Sequence, residues 1–182
     1  MKRIKRSIVV FLFKVYARAR PYVSPIVWRV FYKGHFKNAP AIEYEFNPYG
    51  LDVLEFERLL ADIPYKWDML KGLIDATIPP KYTDWFFRQV KKGRDCDDFV
   101  RVWSKWAEFN GYTCREWLSI DPEHPFKTAH VICTLQNERE VRLCSLSYVS
   151  IPLASVEQAI NHYKGWFDGE RAIVEYNWQK EW

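Results

Sequence analysis

The chain has 182 residues, 48% of them apolar and 18% aromatic, enough for one well-filled core and too hydrophobic for a disordered, collagen-like or low-complexity chain. No stretch approaches the roughly 18 uninterrupted apolar residues that a spanning helix requires. The four cysteines, Cys96, Cys114, Cys133 and Cys144, form no C-x-x-C pair and no disulfide-like framework. This excludes a zinc ribbon or thioredoxin-type site and favours a reducing, cytoplasmic setting.

The net charge of +4 hides an asymmetry. Residues 1–37 carry ten Lys and Arg and no acid, whereas residues 38–182 have a net charge of −6. The chain therefore divides into a basic arm, 1–37, and an acidic body, 38–182, and the arm invites an anionic or assembly partner. At 100° per residue Arg3, Ser7, Lys14 and Arg18 form one stripe, and Ile4, Ile8, Val9, Leu12, Val15 and Tyr16 cover most of the rest. Pro21 and Pro25 are expected to break this helix, and residues 25–33 read as a second short helix or strand. Internal packing, a peripheral anionic membrane surface, a cleaved signal and an assembly partner all fit the arm; nucleic acid is the least supported.

In the body, residues 38–50 read as a linker with a short strand at 42–46. Residues 51–63 read as a helix stopped by Pro64, followed by helical stretches over 67–76 and 82–92. The strongest helix spans 97–110, with apolar residues at three- and four-residue steps and Asn110-Gly111 closing it. The period then changes. Residues 112–120, 129–136 and 141–150 alternate as strands, with a hairpin at Asn137-Glu138-Arg139; a helix over 155–164 and a strand over 172–178 follow. Helices first and an antiparallel sheet afterwards make the chain α+β.

Asp95-Cys96-Asp97-Asp98 opens the strongest helix. A thiol there feels the positive end of the helix dipole, which favours the thiolate. Backbone N–H groups of that first turn, Asp97 among them, can stabilise an oxyanion. The neighbouring aspartates oppose the thiolate by like charge, so an imidazolium is needed to offset them. His130 opens a later strand. A hairpin turning on Asn137-Glu138 sets His130 opposite Ser145, and a shift of one residue sets it opposite Cys144; either orients the ring more weakly than a carboxylate would.

This order, Asp-Cys-Asp-Asp-Phe at a helix start with Trp85 in the helix before it, then His-Val-Ile on one strand and Val-Arg-Leu-Cys-Ser on the next, resembles the transglutaminase-like cysteine peptidases of bacteria and their phages. The resemblance covers residues 82–150. It implies a papain-like core with N-terminal helices packed on the sheet and the Cys at the start of a central helix. It also implies Cys96 as nucleophile, His130 as general base and Gln89 as an oxyanion-hole donor. Two positions depart from the pattern: Arg94 stands where the family has Gly, and Leu143-Cys144-Ser145 replaces its Leu-Asp-Asn, which removes the usual acid.

The expected activity is cleavage or transfer at a peptide or protein amide through a thioester at Cys96, with no cofactor and no metal, since no Cys/His pair has ligand spacing. The competing expectation is a catalytically inactive relative, structural or interacting, that uses the arm to hold a membrane, a nucleic acid or an assembly, including a virion.

Overall fold

The computed structural model describes residues 2–27, 29–30, 34, 39–66, 86–88 and 94–176. Among them the elements are α1 (Lys2–Val27), a 3-10 turn (Pro48–Gly50), α2 (Val53–Ala61), α3 (Cys96–Phe109), β1 (Thr113–Ile120), the short α4 (Pro125–Thr128), β2 (His130–Gln136), β3 (Val141–Ser145), β4 (Tyr148–Val149), α5 (Val156–Lys164) and β5 (Ala172–Tyr176). The five strands form one sheet in the order β4-β3-β2-β1-β5, every pairing antiparallel. The fold is α+β.

Local chemistry sets the element ends. Asp52 caps α2, its Oδ1 accepting from the N–H groups of Leu54 and Glu55, both at 2.9 Å, and Ser155 caps α5 by accepting from Gln158 N–H at 3.1 Å. α3 stops at Gly111, whose φ of 73° lies in the left-handed region that glycine enters without a Cβ clash. The backbone then turns back into β1.

The two faces of the sheet bury different helices. The register pairs Leu118 with Val131, Glu116 with Cys133 and Cys133 with Cys144, so these residues share one face. There α3 packs Phe99, Val102, Trp103 and Trp106 into the main core. A buried ion pair, Arg101 Nη1 to Glu116 Oε1 at 3.0 Å, joins α3 to β1. On the other face Ile132, Val141 and Leu143 meet Ala159 and Tyr163 of α5.

Several sequence expectations are corrected. α1 runs through Pro21 and Pro25 as one helix of 26 residues; each proline removes one i→i−4 hydrogen bond without ending it. Phe13 and Ala17 of this helix are buried in the main core, so the arm is packed on the body. The strand expected at 42–46 is a single bridge, Ala41 to Arg88. Of the helix expected over 82–92, only 86–88 are described, and they form a 3-10 turn and that bridge. The strand expected over 141–150 divides into β3 and β4 at a tight turn where Leu146 has a φ of 54°. The helix expected over 67–76 lies outside the described residues, as do 177–178 at the end of the last strand; of the separate element expected over 25–33, residues 25–27 belong to α1, and 28 and 31–33 lie outside the described residues.

Candidate active site

Cys96 is the first residue of α3, with Asp95 at the N-cap position. The helix packs on β1 and β2, and Gly111 reverses the chain between α3 and β1. Fourteen helical residues rise about 21 Å and the eight of β1 extend about 26 Å. The start of α3 therefore returns to the end of β1, where Ser119 and Ile120 stand. His130 pairs with Ser119, and β3 reaches Ser145 at the same end of the sheet. The fold thus brings Cys96, His130 and Ser145 to one end. Strand alternation turns His130 toward α5, whereas α3, which Cys96 opens, covers the other face of the sheet.

His130 Nε2 lies 2.8 Å from Ser145 Oγ. The hairpin register differs from both expected ones. Asn137 Oδ1 accepts from the N–H groups of Arg139 and Glu140 at 2.9 and 3.0 Å, which builds a wider turn and pairs Gln136 with Val141. Continued to the strand start, that register leaves Ser145 diagonal to His130, still on its face and within reach. Cys144 pairs with Cys133 on the α3 face, so it is not the partner of His130. Among the described residues no hydrogen bond engages His130 Nδ1.

The electrostatics differ from expectation. Burial, reinforced by the positive charge of Arg171, lowers the His130 pKa from 6.5 to about 4. The ring is neutral at neutral pH, and the imidazolium expected to offset the aspartates is disfavoured. Arg171 is held in place: its Nη1 donates to Thr128 O at 2.9 Å, and its guanidinium lies 3.8 Å from the centre of the Phe167 ring.

Tyr163 is a site neighbour that sequence reasoning missed. Its ring lies 6.4 Å from that of His130, inclined by only 17°. Burial raises its pKa, opposed by the Ser119 hydroxyl and Arg171, while Cys96 is close enough for thiolate charge to raise it further. Tyr163 is thus a common neighbour of Cys96 and His130. Its signal in the sequence, an aromatic on the buried stripe of a short amphipathic helix, is the same as that of any core residue.

Cys96 is nearly buried, only 9% exposed. At the other cysteines the thiolate is disfavoured: hydrogen bonding to Cys133 and burial push the Cys114 thiol well up, and burial does the same to Cys133 and raises Cys144. Asp95, Cys96 and Asp97 hold their ligand atoms within 4.8 Å of one another, a donor set that pairwise Cys/His spacing does not detect. Acids in a first turn are also favoured by the helix dipole alone. Gln89 and Trp85 lie outside the described residues. An open depression lined by Gly111, Thr113 and the 136–139 hairpin sits at the other end of the sheet, about 20 Å of strand from His130.

Comparison with protein-family models, with curated proteins and with solved structures finds no match.

Proposed function

We propose that the chain is a cysteine-dependent hydrolase or acyl transferase acting on an amide, with Cys96 as nucleophile, His130 as base and Ser145 as the group that orients the base. The observation carrying this reading is the His130 Nε2 to Ser145 Oγ contact at 2.8 Å. In the tautomer where Nε2–H donates to the serine, Nδ1 holds the lone pair that a base requires. This resembles the transglutaminase-like arrangement, with a hydroxyl in the place of the acid.

The chemistry follows from a neutral pair. His130 Nδ1 takes the thiol proton as the sulfur of Cys96 attacks the amide carbonyl carbon. The oxyanion is stabilised by first-turn backbone N–H groups such as that of Asp97. Collapse breaks the C–N bond, and the departing amine takes the proton from His130, leaving a thioester. Water or an acceptor amine, deprotonated by His130, then attacks the thioester and releases the thiol.

Alkylation by iodoacetamide at neutral pH, followed site by site by peptide mass spectrometry, tests this. Cys96 is expected to react faster than Cys114 and to slow by about 100-fold in His130→Ala, the usual size of a general-base contribution. Equal rates at the two cysteines, or no change in His130→Ala, overturn the reading.

The narrow exposure of Cys96, and a hydroxyl rather than any carboxylate behind His130 among the described residues, favour a second reading, an inactive scaffold of the same fold. It expects the equal rates, and it expects Cys96→Ala to leave every property of the protein unchanged.

A further inference from the structure

α1 has two apolar faces. One, carrying Phe13 and Ala17, is buried against the body. The other, about 170° around the helix, carries Ile8, Phe11, Leu12, Val15, Tyr22 and Ile26, all exposed; Phe11 is 63% exposed and Ile26 65%. From Ile8 to Ile26 this outer stripe runs about 27 Å. An apolar strip of that length is beyond the isolated surface hydrophobics that need no explanation.

The charge beside the stripe selects its occupant. Lys14 and Arg18 border one edge and Lys5 the other, all exposed, and residues 1–37 contain no acid. A second copy of the same helix would bring like charge against like. No helix among the described residues is long and apolar enough to cross a membrane. An apolar stripe flanked by cations matches instead the boundary between acyl chains and anionic headgroups.

We propose that α1 is an interfacial helix that lays its outer face on an anionic lipid bilayer while its inner face stays on the body. The helix is already formed and held: Arg6 pairs with Glu170 beside β5, and the inner face contributes to the core. Docking then avoids the ordering cost that a free amphipathic peptide incurs. This proposal is independent of the chemistry at Cys96.

Flotation of the full chain with vesicles tests it, using phosphatidylcholine alone and phosphatidylcholine mixed three to one with phosphatidylglycerol. Flotation is expected on the mixed vesicles at low salt, with loss as ionic strength rises to about 0.5 M and the Debye length shrinks. Lys14→Gln and Arg18→Gln should each weaken binding about fivefold. Ile8→Glu combined with Leu12→Glu should weaken it at least tenfold. These side chains are exposed, so circular dichroism should match the parent. No flotation on the mixed vesicles, or equal flotation on phosphatidylcholine alone, overturns the proposal. So does a dimer in sedimentation velocity that Leu12→Glu disperses, since a second copy then covers the stripe.

Discussion

The indole N–H of Trp103 donates to the carbonyl oxygen of Leu146 at 2.7 Å, tying the middle of the central helix to the turn that immediately follows Ser145. Leu146 has a φ of 54°, a conformation costly for a residue with a Cβ, and the indole helps to hold it there. Trp103→Phe keeps most of the apolar volume and removes the donor. It is expected to destabilise the protein by about 1–3 kcal/mol, read as a lower denaturant midpoint. It should also perturb the His130 ring resonances by NMR, because the Ser145 hydroxyl loses its fixed position.

The depressed His130 pKa makes a signed prediction. The unfolded chain has an imidazole near 6.5 and the folded one near 4, so between these values the unfolded state binds more protons. Stability is full above about pH 6.5 and falls as the pH drops toward 4, by up to about 3 kcal/mol. In His130→Phe this share of the pH dependence should vanish. Urea denaturation at several pH values checks it.

Ser145→Asp places a carboxylate behind the ring, where opposite charge favours the imidazolium. The His130 pKa, followed by NMR, is expected to rise by at least one unit, and Cys96 alkylation to accelerate. Ser145→Ala should leave the ring tautomer unselected and slow alkylation about tenfold. An unchanged rate in both variants removes Ser145 from the site.

Arg101 and Glu116 form a buried pair, each side chain only 2% exposed. Arg101→Ala leaves a carboxylate buried without its cation and is expected to cost about 3–5 kcal/mol. Arg101→Met with Glu116→Leu should cost much less than the single change. Thermal unfolding of the three proteins decides it.

The α+β class was legible because each regular element carries its own period. α3 repeats apolar residues at three and four, and its expected range of 97–110 lies within a residue or two of the observed helix. β1, β2 and α5 were legible for the same reason, down to the Ser155 cap. Elements that depend on distant partners were not. The backbone of Ala41 pairs with Arg88, far along the chain, and nothing near either residue marks it. The continuity of α1 through two prolines is likewise not marked locally: Phe13 and Ala17 before them and Val27 after them all pack on the body. At the candidate site, Cys96 and His130 were readable from their positions at element starts. Ser145 was readable only as one of two choices, because the side chain of Asn137 widens the turn and resets the register. Tyr163 was invisible, its relation to the site being set by how α5 lies across the sheet.

Phe13 and Ala17 are buried in the same core as Trp103 and Leu118. A chain shortened by its first 37 residues would lose not just cations but a wall of the interior, baring aromatic surface that then seeks other contacts. Whatever such a truncated protein fails to do would report a damaged body as readily as a missing anchor. Substitutions confined to the outer stripe of α1 separate the two.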